Sequence, residues 1–101
     1  MIKLTQTATY RRWERNLNDQ RARAAIAARL FRLENGLPGD VVSVGDGISE
    51  LRIHYGPGYR IYFKQRGQEI VILLCGGNKS TQDRDIREAK QLAKDWMEHD
   101  D

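Results

Sequence analysis

Arg52, His54, Arg60, Tyr62 and Lys64 fall at alternate positions of two short runs, ELRIHY at 50–55 and YRIYFK at 59–64. Leu51, Ile53 and Tyr55 alternate with the first set, and Tyr59, Ile61 and Phe63 with the second. Period-two alternation is the pattern of a strand with one buried face and one wet face. With the apolar sets on the core face, three cations, an imidazole and a phenol share the other. Guanidinium and ammonium groups bind phosphate, and an imidazole moves protons near neutral pH. A phenol stacks on a base or donates to a phosphate. The chemistry this surface suggests is therefore that of a phosphodiester.

Each residue also has a plainer reading. Arg60 can form a cross-strand ion pair with Glu50 or Glu69 instead of binding an anion. Arg52 is placed to face Arg60 across the hairpin, an arrangement that costs stability unless an anion lies between them. His54 can act as general base or acid, or can be a surface strand histidine. Tyr62 can be an exposed strand tyrosine, a common occurrence because Tyr favours strands. Lys79 follows Gly76-Gly77-Asn78 at a strand end, a loop resembling a phosphate cradle but without P-loop spacing. Gln82 and Asp85 can serve a helix cap and dipole equally well. Trp13 and Trp96 stand at helical spacing with other apolar residues and read as core.

The elements that must position these groups follow from the local pattern. Gly56-Pro57-Gly58 and Arg66-Gly67-Gln68 are turns on either side of the 59–64 run. Ile70 to Leu74 is apolar throughout, as in a central strand covered on both sides, and Gly76-Gly77 is expected to end it. Upstream, Ile2 to Thr7 reads as a first strand. Thr7 or Thr9 caps a helix carrying Tyr10, Trp13 and Leu17, with Arg11, Arg12 and Arg15 outward. Asn18-Asp19 breaks it and starts a second helix from about Gln20 to Asn35, with Ala22, Ile26, Leu30 and Leu33 inward. Gly36 and Pro38 stop that helix. So short a link predicts an antiparallel helical hairpin. Val41 to Val44 reads as a strand or edge segment before a turn at Gly45-Asp46-Gly47. Ser80 or Thr81 caps a last helix with Ile86, Ala89, Ala93 and Trp96 or Met97 inward, and the acidic tail 98–101 is expected to fray. The expected class is α+β in one domain, residues 1–101: a small, mostly antiparallel sheet with an N-terminal helical hairpin and a C-terminal helix, in the order β-α-α-β-β-β-α.

The chain has 101 residues and a net charge of +3, unevenly spread. Residues 1–40 hold eight Lys/Arg against four Asp/Glu, whereas residues 80–101 hold four against seven. Arginine supplies most of the cations, and polyanions are natural partners for such a surface. A single cysteine, Cys75, excludes an intrachain disulfide framework. No signal-peptide core and no run near ~18 apolar residues appears, so a soluble intracellular protein is expected. The acidic residues cluster at helix starts and the tail. No carboxylate pair is expected on the cationic face, which disfavours a metal-dependent nuclease.

Three blocks, ELRIHYGPGYRIYF, IVILLCGGNKSTQ and DIREAKQLA, are similar to the HigB-like (phage Gp49-like) branch of the RelE/ParE toxin superfamily. The resemblance covers nearly the whole chain, and the expected element order matches that RelE-like fold. It implies the toxin of a type II toxin–antitoxin pair in the cytoplasm, partnered by a helix-turn-helix, HigA-like antitoxin. RelE-like members cleave mRNA on the ribosome, and ParE-like members inhibit DNA gyrase; fold alone does not choose between them. On the RelE side the resemblance implies a ribosome-dependent endoribonuclease using the ribose 2′-OH as nucleophile, with no metal or other cofactor. Arg60 matches the family's functional arginine in its GYR motif, and Lys79 matches the GGNK block along with Gln82 and Asp85. Together with the chemistry of the strand residues, this gives a candidate catalytic set of Arg60, Arg52, Lys79, His54 and Tyr62. The candidate RNA contacts on the same two grounds are Arg52, Arg60, Lys64, Lys79 and Gln82. Arg11, Arg12, Arg15, Arg21, Arg23, Arg29 and Arg32 would face ribosomal RNA, the antitoxin or plain solvent.

Overall fold

A computed structural model describes residues 1–99, with side chains described as far as Trp96. Strand β1 (Lys3–Gln6) leads into helix α1 (Ala8–Arg15) through Thr7. The Thr7 hydroxyl accepts from the Tyr10 amide and donates to the Leu74 carbonyl at 2.6 Å, so one side chain caps the helix and ties it to the sheet. Leu17 lies beyond the end of α1, in the link. Asp19 caps helix α2 (Gln20–Glu34) by accepting from Arg21 and Ala22. The stripe Ala22, Ile26, Leu30 and Leu33 is buried, and Gly36 at φ 78° turns the chain out of the helix. The expected helical hairpin needs correction. α1 packs on β1 and on the later strand β5 (Ile70–Asn78), and α2 packs toward β3 (Ile48–Ile53), so each helix leans on the sheet more than on its neighbour. Arg23 bridges the link instead, donating to the carbonyls of Glu14 and Leu17.

Strands β2 (Val41–Gly45) and β3 are joined by Asp46 and Gly47, both at positive φ, the geometry of a two-residue hairpin turn. Strand β4 (Tyr59–Arg66) completes a five-stranded sheet in the order β1-β5-β4-β3-β2. β1 runs parallel to β5, and every other pair is antiparallel. The α+β class and the mostly antiparallel sheet stand. The element order differs from expectation: β2 is a full strand, and a 3-10 turn (Lys79–Thr81) precedes helix α3 (Gln82–His99). Asn78 caps that 3-10 turn, which stands between the strand and the helix expected to be capped by Ser80 or Thr81. Its side chain accepts from the Ser80 amide while the Thr81 hydroxyl accepts from its own. α3 continues to His99; the rest of the tail expected to fray, and the side chain of Met97, lie outside the described residues.

One sheet face packs against α1 and α2 through Tyr10, Ile26, Leu51, Ile61, Phe63 and Leu73. The opposite face, expected to be wet, is covered by α3 along much of its length. Ile48, Tyr62, Ile72, Leu74 and Cys75 pack there against Ala89 and Ala93. The pairing of β4 with β5 shifts between Tyr62 and Phe63, opposite Cys75 and Leu73. The skipped Leu74 therefore joins Cys75 on the α3 side. Gly76-Gly77 does not end β5, which runs on to Asn78. A Cβ at Gly76 would overlap the Trp13 ring, and one at Gly77 the Asp85 carboxylate. The glycines admit close neighbours on both faces; they do not stop the strand. Among the described residues no helix is long and apolar enough to cross a membrane.

Candidate functional site

Antiparallel pairing of β3 with β4 sets Arg52 opposite Arg60 and Glu50 opposite Tyr62. Two arginines therefore face each other as the hairpin predicted, and the anion between them belongs to the chain itself. Glu50 is fully buried. Its Oε1 accepts from Arg52 Nε, and its Oε2 accepts from the Tyr62 hydroxyl and from Gln82 Nε2, each at 2.8 Å. Arg60 Nε stands farther off, 4.0 Å from Oε1. Burial alone would raise the Glu50 pKa. The hydrogen bonds from Arg52, Gln82 and Tyr62 outweigh that and hold it below its ordinary value. Burial, then the bond to Glu50, pushes the Tyr62 phenol well up.

At the end of the β3–β4 hairpin a shallow depression of about 380 Å³ is lined by His54 to Gly58, Arg60 and Lys79. Gly58, at φ 79°, lies between the two cations: a Cβ there would sit 3.4 Å from Lys79 Cβ and 3.5 Å from Arg60 Nη1. Arg60 is 7% exposed. Its Nη1 donates to the carbonyls of Gly58 and Tyr59, at 3.2 and 3.3 Å. Its buried Nε has no hydrogen-bond partner among the described residues. A buried guanidinium N–H without an acceptor is costly to leave unmade. His54, on the rim, holds the Asp40 carboxylate through Nε2 at 2.5 Å. That bond is the leading reason the Asp40 pKa is lowered. Arg29 fixes the same corner from α2 by donating to the carbonyls of Arg52, Pro38 and Asp40.

Of the residues singled out from sequence, Arg60, Lys79 and His54 come together in the depression, and Arg52 joins them through Glu50. Tyr62 is not the exposed stacking surface expected of a wet face. Its ring is fully buried under α3 and its hydroxyl serves Glu50. Gln82 likewise bonds Glu50. Lys64 lies four residues along β4 from Arg60, roughly 13 Å at strand rise, and lines a different hollow. The cationic face carries buried acids. Glu50 sits at its centre, and Asp85, buried and bonded by the Thr81 hydroxyl, lies against Gly77 beside it. Among the described residues no group of three or more His, Cys, Asp and Glu is arranged to hold a metal ion. Arg23 and Arg29 are occupied with backbone carbonyls, whereas Arg11, Arg12, Arg15, Arg21 and Arg32 are exposed. Glu50 and Asp40 are the residues sequence reasoning undervalued. Glu50 had a signal, being the one acid among the alternate positions of the two runs. Asp40, fourteen residues before His54 and outside both runs, had none.

No solved structure matches the chain. An uncharacterized protein of Haemophilus influenzae is 52% identical over 94 residues, covering 93% of this chain and 95% of that one. The model of the family described as Phage derived protein Gp49-like (DUF891) matches residues 13–98, taking in the whole Glu50 cluster and the depression beside it. The chain belongs to the phage-derived Gp49-like family.

Proposed function

We propose that this protein is the toxin of a type II toxin–antitoxin pair and acts in the cytoplasm as a ribosome-dependent mRNA endoribonuclease on a RelE-like fold. The observation that carries this reading is Arg60: nearly buried, charged, its Nε without an acceptor, and beside Lys79 in an open depression. Membership of a toxin-like family supports it. In the proposed reaction the ribose 2′-oxygen bonds to phosphorus and the bond to the 5′-oxygen breaks; the 5′-oxygen takes a proton from water, leaving a 2′,3′-cyclic phosphate and a 5′-hydroxyl. Arg60 and Lys79 stabilise the charge that grows on the phosphoryl oxygens, and need little rearrangement because they are already held in place. His54, oriented by Asp40 through Nε2, keeps Nδ1 to accept the 2′-hydroxyl proton. Tyr62 and Gln82 act through Glu50 as positioning residues. The exposed arginines of α1 and α2 suit an acidic surface on a helix-turn-helix antitoxin.

One observation favours a second reading, a ParE-like inhibitor of DNA gyrase without catalysis: Glu50 already offsets one of the two positive charges of the arginine pair. Inducing the wild type and Arg60→Ala separates the two. Primer extension on a reporter mRNA and plasmid supercoiling are followed together. New RNA 5′ ends inside translated codons, lost in the variant, are the expected result. Whole transcripts with altered supercoiling would overturn the endonuclease reading.

A further inference from the structure

Lys79 lines two hollows. One is the depression shared with His54 and Arg60; the next is lined by Lys79 to Arg84 and by Arg87. Arg87 in turn lines a third hollow with Asp46, Lys64, Lys90 and Lys94. The three follow one another from the hairpin end along α3 and share a cation at each junction. We propose that they form a track for the backbone of single-stranded RNA, leading it away from the Arg60–Lys79 centre. This rests on the reading of that centre as a phosphodiester site.

Helical geometry gathers three cations on one flank of α3, with Asp83 one turn before Arg87 on the same side. Arg87, Lys90 and Lys94 stand at i, i+3 and i+7 and share one flank of α3, whose inner face is fixed by buried Ala89 and Ala93. Glu88 and Asp95 each lie about 100° round the helix from Arg87 and Lys94, on the far flank. Several cations of the track are partly answered within the chain: Arg84 pairs with Asp85 at 3.6 Å, Lys90 pairs with Asp46 at 3.7 Å, and Lys64 is not free either. Asp83 also borders the second hollow. Among the described residues Lys79, Arg87 and Lys94 have no carboxylate within ion-pair distance. Among the described residues no aromatic side chain lines the second or third hollow, so the contacts expected there are to phosphate, independent of sequence. An acidic protein is the weaker fit, because a protein interface needs apolar or aromatic anchors and, among the described residues, only Ala93 is apolar here.

Binding of an uncleavable 2′-O-methyl RNA strand of mixed sequence, followed by fluorescence anisotropy over a salt series, tests the track. Each cation engaged on a single strand contributes about 0.7 to the slope of log affinity against log salt. Arg87→Gln with Lys94→Gln should therefore flatten the slope by about 1.4, while Arg87→Lys with Lys94→Arg should keep it. Both pairs lie on the surface, and unchanged thermal melts check that they fold. An unchanged slope in the neutral pair, with transcripts still cleaved in cells, would overturn the track alone. Whole transcripts in wild-type cells would overturn the centre's reading instead, and with it the route proposed from that centre. A wild type that does not bind the strand at low salt overturns the track, as does polyglutamate competing as well as RNA.

Discussion

Glu50 is the group whose removal the structure makes most costly. Alanine there takes the acceptor from Arg52 Nε, the Tyr62 hydroxyl and Gln82 Nε2 together. Tyr62 has no exposure, so its hydroxyl cannot turn to water. A buried donor left unmade costs about 1–3 kcal/mol. The Arg60 guanidinium, with a side chain 9% exposed, also loses the carboxylate facing it. Breaking a buried ion pair from one side costs about 3–5 kcal/mol. The two penalties share a cause and do not add, so Glu50→Ala should destabilise by about 3–5 kcal/mol. Glu50→Gln keeps an acceptor oxygen and loses the charge, and should cost about 1–3 kcal/mol. Urea unfolding followed by tryptophan fluorescence reads both, and at about 1–3 kcal/mol per molar the alanine midpoint should fall by more than about 1 M. Arg60→Ala in the Glu50→Ala background should cost well under the sum of the single changes. A loss below about 1 kcal/mol in Glu50→Ala, with the urea slope unchanged, would refute the claim that this carboxylate holds the arginine pair.

Three further outcomes follow from the same packing. Because the folded protein holds Glu50 below its ordinary value of 4.5, its stabilising contribution is full above that pH and is lost as the pH falls through the lowered value; urea midpoints should drop on acidification more in the wild type than in Glu50→Gln, and equal drops would contradict this. Gly77→Ala should cost about 1–3 kcal/mol or more by driving a methyl into the Asp85 carboxylate, read as a lowered melting temperature; an unchanged melt would show that α3 yields freely. Burial, with help from Glu88 and Asp85, pushes the Cys75 thiol pKa far up, and the residue is 1% exposed; a chromogenic disulfide reagent should label it only after urea unfolding, and rapid native labelling would sink the assignment.

What was legible in the sequence was local. The α2 stripe, its Asp19 cap and the Gly36 stop depend on residues within a turn or two of each other. The facing of Arg52 and Arg60 depended only on a hairpin closed at Gly56–Gly58. The failures concern distant neighbours. Period-two alternation separates two faces of a strand but does not say whether the polar one meets water or a helix. Here α3 returns over Tyr62 and Glu50 and leaves the hairpin end open. Gly76-Gly77 looked like a strand end because glycine breaks strands as well as admitting close neighbours, and Trp13 and Asp85 decide which. The His54–Asp40 contact joins the end of β3 to the loop before β2, and no spacing rule reaches across that gap.

The division of Glu50 between the two arginines bears on what Arg60 can do. A lone buried guanidinium would be expelled or would collapse onto the nearest carboxylate. Arg52 holds that carboxylate at 2.8 Å, with Tyr62 and Gln82 fixing its other oxygen, so Arg60 is left at 4.0 Å. At that distance the charge of Arg60 is still compensated, which lets it stay near-buried. Its Nε, however, is not consumed by a short bond. Nη1, held by the carbonyls of Gly58 and Tyr59, keeps the group turned toward the hairpin end where Lys79 lies. A cation that is neutralised at long range and held at one nitrogen suits binding an incoming phosphate, since little must break before the new contacts form. On this argument Arg52 serves the site less by touching an anion than by keeping Glu50 from closing on Arg60.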